Sequence, residues 1–418
     1  MTGVEASPRR LADLTQERTE ANRRFFADEA ERVARLCHRM AERFVRGGRL
    51  LAFGGSPSAL SDARHVAVEF VHPVIVGKRA LPALAVAGEG AELLTRMELA
   101  AEPDDIVIGF GLEEGGGDGE QALTMARDRG ALTIAFAADA GAEWAFEPPS
   151  GDAFVRQELA ETLYHVLWEL VHVFFEHRGL LEGREAAPIH DSGASSFLYP
   201  FLAERETGLE EVVEDVRRSV LAKAEDVGTL REQTLGEGGE ELTAAAAALR
   251  ARLDAGGTLL ALGNGGSATD ATDVVADFRA PPRLGQAGSA GWPARRALDL
   301  SDDPGILTAI ANDIGAEAMF ARQVIAYGRP GDALIALSTS GNSANVVAAL
   351  AEARRRGLLT IAMVGYDGGR VAAESLADHA IVTRSEHLPR IQEAQASAYH
   401  ALRELVESAP ASGGLGAE

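Results

Sequence analysis

The chain is 418 residues long and carries 40 Lys and Arg against 63 Asp and Glu, a net charge of −23. That length accommodates two or three domains with a large core, and the acidic balance argues against nucleic acid or an anionic membrane as partner. A single cysteine, Cys37, excludes an internal disulfide framework, and no apolar run is long enough to span a bilayer, so the expectation is a cytoplasmic protein with no membrane partner.

Residues 1–20 are polar, and fraying is expected there. A helical pattern from Thr19 to Val45 leads to Gly47-Gly48-Arg49-Leu50-Leu51-Ala52-Phe53-Gly54, whose apolar run predicts a buried strand. The next helix reads Asp62-Ala63-Arg64-His65-Val66-Ala67-Val68-Glu69, with His65 and Glu69 one turn apart. Asp105 to Phe110 predicts a second buried strand. Arg156-Gln157-Glu158, with His165 further on, lies on a late helix. Residues 181–208 read as a linker, although Phe197-Leu198-Tyr199-Pro200-Phe201 is too apolar to stay free in solvent. From Leu209 to Gln233 a helix resumes.

The second half then repeats the first. A helix from Glu240 to Leu253 leads to Gly256-Gly257-Thr258-Leu259-Leu260-Ala261-Leu262-Gly263, the same phrase as residues 47–54. Asp105 and Asp332 each stand 25 residues before the glycine that stops the following helix, Gly130 and Gly357. Gln157 and Gln392 each stand eight residues before a histidine, His165 and His400. The chain is two copies of one α/β domain, expected over 1–180 and 209–418, each a three-layer αβα sandwich with a parallel sheet.

Within the second copy, the turn Ser338-Thr339-Ser340-Gly341-Asn342-Ser343 joins a buried strand to a helix. Four hydroxyls and a glycine at a helix N-terminus suit a phosphate dianion, because unpaired N–H groups point outward there and the glycine lets the backbone approach. A capped βα turn needs fewer hydroxyls than this.

These residues resemble the sugar isomerase (SIS) domain family and, within it, the phosphoheptose isomerases. The second copy carries the resemblance in Gly263-Asn264-Gly265-Gly266-Ser267, Asn312-Asp313, residues 338–343 and Arg390-Ile391-Gln392-Glu393 with His400. The resemblance implies isomerisation of sedoheptulose 7-phosphate to a heptose 7-phosphate through an enediol. It implies phosphate and sugar contacts from Asn264, Gly265, Gly266, Ser267, Asn312, Asp313, Ser338, Thr339, Ser340, Ser343 and Gln392. It also implies an oligomer, here a dimer of two-domain chains, and in some members zinc. Enediol chemistry requires one base at carbon and one acid at oxygen.

The copies depart from the family pattern in complementary ways. The second has Asp273 and Asp277 where the pattern places His and Glu, one turn apart and facing the same way. The first keeps His65, Glu69, Gln157 and His165, a complete acid/base or zinc-like set, but aligns Gly111, Leu112, Glu113 and Gly116 with the hydroxyl loop. The acid/base pair is therefore expected from His400 or His165 with Asp277 or Glu69, and a composite of both copies is one arrangement. The rival reading is a sugar-phosphate sensor or scaffold without catalysis, since a fold does not fix a function.

Overall fold

The computed structural model describes residues 3–74, 78–112, 117–138, 140–176, 180–181, 208–280 and 292–408. The linker apart from its ends, and positions 113–116 of the first-copy loop, lie outside them.

In chain order the first half comprises α1 (Gly3–Val45), β1 (Leu50–Gly54), α2 (Pro57–Val71), β2 (Ala83–Ala85), α3 (Gly90–Ala100), β3 (Ile106–Phe110), α4 (Asp118–Asp128), β4 (Leu132–Ala135), β5 (Trp144–Ala145) and α5 (Ala153–Glu176). The second comprises α6 (Leu209–Glu237), α7 (Gly239–Asp254), β6 (Leu259–Leu262), α8 (Gly266–Arg279), β7 (Ala297–Asp299), α9 (Pro304–Asp313), a 3-10 turn (Ala316–Ala318), α10 (Met319–Tyr327), β8 (Ala333–Ser338), α11 (Ala344–Arg355), β9 (Leu359–Gly365), α12 (Gly369–Ala373), β10 (His379–Thr383) and α13 (Leu388–Ser408).

The strands form two five-stranded sheets, ordered β2-β1-β3-β4-β5 and β7-β6-β8-β9-β10. Every pairing in both is parallel. The strand order is the same when the strands are matched by repeat, so the duplication read in the sequence extends to topology. Among the described residues no helix is long and apolar enough to cross a membrane.

In the second sheet the pleat sorts side chains by parity. Leu259, Ala261, Ile335, Leu337, Ile361 and Met363 face a core shared with α7, α8 and α13. Leu260, Leu262, Leu334, Ala336, Ala362 and Val364 face another with α10 and α11. In the first sheet, Leu51, Phe53 and Val107 pack with α3 and α4 residues such as Met97 and Leu123.

The chain folds into two compact units that do not follow the sequence halves. One gathers Ala21–Ser150 and Leu159–Asp226. The other gathers Met1–Glu20, Gly151–Glu158 and Val227–Glu418. Residues expected to fray instead open the long helix α1. The reason is an apolar stripe that a polar average conceals: Leu11 and Leu14 join the core formed by α7, α8 and α13, and Arg18, one turn on, is fully buried.

Gly341 illustrates how tightly the hydroxyl turn is built. Its φ is +61°, and a Cβ there would stand 2.2 Å from the carbonyl oxygen of Gly368. Gly341→Ala is expected to cost ~1–3 kcal/mol through the left-handed backbone and the clash. Gly331→Ala supplies the control, because Gly331 also has positive φ (+97°) but nothing within 4 Å of its Cβ position. Thermal melts of the two variants check this, and equal Tm losses would show that the contact with Gly368 is immaterial.

Candidate active site

Two loops leave the carboxyl ends of the adjacent strands β6 and β8, the position at which open parallel sheets bind ligands. The first, Gly263 to Ser267, enters α8. Gly263 is obligatory, since a Cβ would meet the Ser267 carbonyl oxygen at 2.1 Å, and Gly265 turns with φ +58°. The second is the hydroxyl turn entering α11. Ser338 Oγ accepts the Gly341 N–H at 3.2 Å and lies 3.5 Å from Ser343 Oγ. Ser343 is the N-cap of α11, yet its side chain makes no capping bond. The Val346 N–H is taken by Asn345 Oδ1 at 3.0 Å, and a helix start whose N-cap side chain is not engaged is a place where an anion can accept from backbone N–H groups.

A reciprocal amide pair ties the loops together. Asn264 Nδ2 donates to Asn345 Oδ1 at 3.0 Å, and Asn345 Nδ2 donates to Asn264 Oδ1 at 2.9 Å. Asn264 thus holds the two anion-type loops in register. Thr339 and Ser340 line the same turn, half-buried.

The residues expected from the sequence as an acid/base pair sit further along α8 and on α13. Asp273 and Asp277 are both buried, and His400 on α13 is fully buried beside them. His400 Nε2 lies 3.3 Å from Asp273 Oδ2 and 3.5 Å from Asp277 Oδ2. Asp273 Oδ1, Asp277 Oδ2 and His400 Nε2 have no aligned hydrogen bond. Tyr399 Oη donates to Asp273 Oδ2 at 2.9 Å. On its other edge, His400 Nδ1 meets Glu158 Oε1 at 2.9 Å. Phe154 stacks on the imidazole face with centroids 4.4 Å apart.

The electrostatics follow from this crowding. Burial opposes a charge on His400, but Asp273, Glu158 and Asp277 outweigh it and push the imidazole up to about 10. Burial, then the neighbouring Asp273 carboxylate, raise Asp277 well above the usual carboxylate range. Glu158 behaves oppositely: burial works against its charge, but Arg18, His400 and Arg231 bring it down to about 2. A buried carboxylate of raised proton affinity beside a charged imidazole is the pairing that proton transfer at carbon and oxygen calls for.

The first half builds a separate cluster. His65 and His165 face each other with Nε2 atoms 3.4 Å apart. Together with Glu161 they place three ligand-type atoms within 4.8 Å of one another, all buried. Glu69 Oε1 lies 3.8 Å from His65 Nε2. Burial and the second imidazole push His65 well below its ordinary value, so it stays neutral. Two imidazoles with a carboxylate are a donor set that suits zinc. Asp273, Asp277 and His400 also converge within 4.8 Å, but that set is richer in oxygen donors.

The remaining sequence candidates are placed as follows. Asn312 and Asp313 are exposed at the end of α9, where Asn312 Nδ2 donates to Asp313 Oδ1. Gln392 is buried on α13. Gln157 is half-buried and belongs to the unit that holds α13, whereas His65, Glu69 and His165 belong to the other. Sequence reasoning did not single out Glu158, Glu161, Tyr399 or Asn345. The available signal for Glu158 was its position one turn after Phe154 on a helix that continues into the apolar stretch from Leu159, since a buried carboxylate requires a partner.

The SIS domain matches residues 224–365. A phosphoheptose isomerase of Chlorobaculum tepidum is 48% identical over 153 residues, 36% of this chain and 70% of the relative. One from Desulfovibrio desulfuricans is 42% identical over 188 residues, 45% of this chain and 86% of the relative. In fold alone, the chain resembles the C-terminal domain of glucosamine-fructose-6-phosphate aminotransferase from Francisella tularensis, at a TM-score of 0.56 with 9% identity and 95% of each chain covered. The chain belongs to the SIS-domain family, in its phosphoheptose isomerase group.

Proposed function

We propose that the chain converts a ketose phosphate to an aldose phosphate through an enediol, with sedoheptulose 7-phosphate as substrate and a heptose 7-phosphate as product. One observation carries this reading: α8 bears Ser267 in its first turn beside the hydroxyl loop, and Asp277 further along, 3.5 Å from His400 Nε2. Ser267 and Asp277 are about 15 Å apart along the axis at 1.5 Å per residue. That spacing separates a phosphate end from a reacting end on one rigid element.

In this scheme residues 338–343 and Ser267 hold the phosphate, fixing the far carbons against the acid/base pair. Asp277 takes the proton from the carbon beside the carbonyl and returns it to the former carbonyl carbon of the enediol, which restores the base. His400 delivers a proton to the carbonyl oxygen and recovers one from the neighbouring hydroxyl. Zinc, where bound, would be held by His65, Glu161 and His165 of the first-half cluster.

The test is proton NMR of sedoheptulose 7-phosphate in D2O with the purified protein, with and without added zinc. Deuterium at the carbon beside the carbonyl, with a new aldose anomeric signal, is the expected result. Broadened sugar lines without exchange over hours would replace the isomerase reading with a binding protein. Metal content of the purified protein, measured by mass spectrometry, separately checks the zinc site.

A further inference from the structure

Glu158 belongs by sequence to the first copy, yet every polar contact described for its side chain is made to residues of the unit containing α13. Its Oε1 accepts from Arg18 Nε at 2.9 Å and faces His400 Nδ1 at 2.9 Å. Its Oε2 accepts from the Ser397 hydroxyl, one turn before His400. Arg231 contributes a guanidinium 4.0 Å away. Arg18 is itself tied down, donating Nη2 to Glu404 at 3.1 Å and Nη1 to the Leu14 carbonyl at 3.1 Å. Glu158, His400 and Arg18 are all essentially inaccessible to solvent. Phe154, four residues earlier on α5 and therefore on the same face, covers the imidazole plane. One helical turn grips His400 by edge and by face.

We propose that Glu158 is the positioning residue for His400, holding the proton on Nδ1 and aiming Nε2 at the Asp273–Asp277 side where the substrate carbons react. This rests on the isomerase reading above. The logic is that of a carboxylate fixing an imidazole's tautomer and orientation so that the opposite nitrogen shuttles protons. Arg18 secures the carboxylate, and Ser397 fixes its second oxygen. The first copy, whose own hydroxyl loop has been lost from the sequence, serves the site of the second through this one turn of helix.

The test uses the full-length protein with 15N-labelled histidine, the His400 ring signals being assigned by their loss in His400→Gln. In the unaltered protein Nδ1 is expected to carry a proton, shifted downfield by its bond to Glu158. An unprotonated Nδ1 overturns the proposal without any variant having to fold. In Glu158→Gln, the Nδ1 proton is expected to move upfield and kcat to fall on the order of a hundredfold, with KM changed less than about twofold because the phosphate loop is untouched. Glu158→Asp is expected to recover part of kcat. Unchanged kcat and ring signals in a folded Glu158→Gln protein overturn the proposal, as does a rise in KM alone. The ring signals are read without substrate, so absence of turnover in the unaltered protein sinks the isomerase reading and is distinguishable from failure of the Glu158–His400 contact.

Discussion

His400→Gln is expected to lower kcat by about a thousandfold, within the range of general acid–base contributions. KM should change little, because the groups proposed to hold phosphate lie on other elements, in residues 263–267 and 338–343. The variant should also lose stability. His400 sits among Glu158, Asp273 and Asp277, and its removal takes the imidazole away from the buried Asp273 and Asp277 carboxyl groups, while Glu158 keeps Arg18. The unaltered protein should show the matching pH dependence. Its imidazole is raised from the ordinary 6.5 to about 10, so its contribution to stability is fully present below 6.5 and fades as pH climbs through about 10. The glutamine variant should lack that alkaline slope. Denaturant melts between pH 6 and 10, beside steady-state kinetics, check both statements. A kcat within tenfold of the unaltered protein would remove His400 from the proton shuttle.

Asp277→Asn is the second large effect. Asparagine preserves the volume but cannot take a proton from carbon, and kcat should drop by about a hundredfold or more. The shorter side chain, relative to the glutamate of the family pattern, is compensated by environment: burial and Asp273 raise its affinity for a proton, which strengthens it as a base. Glu69→Gln is the paired measurement. Glu69 is buried beside His65, and its loss is expected to cost less than tenfold in kcat. Equal losses in both variants would show that both copies contribute to turnover, and a larger loss in Glu69→Gln would move the reaction to the first copy.

Much of the architecture was readable from residues alone. Paired glycines followed by four apolar residues marked β1 and β6, because a parallel strand buried on both faces needs no polar alternation. The spacing of Asp273 and Asp277 correctly placed both on one side of α8, since helical geometry is local. The start of α1 was not legible: two leucines and an arginine among polar neighbours give a weak periodic signal, and the packing of Leu11 and Leu14 decides the matter. Glu158 was not legible as a partner of His400 because the two are 242 positions apart in sequence. Nor was the basicity of Asp277, which arises from exclusion of water and a second carboxylate rather than from any motif.

The exchange of segments between the contact units bears on how such a protein can be divided. A fragment cut at the linker, beginning at Leu209, would contain the hydroxyl loop, α8 and His400 complete. It would lack Leu11 and Leu14 from its core, and Arg18, Phe154 and Glu158 from around the imidazole. The repeat boundary in the sequence and the boundary between the compact units do not coincide, so a cut at the linker strips packing residues from the core of the second half.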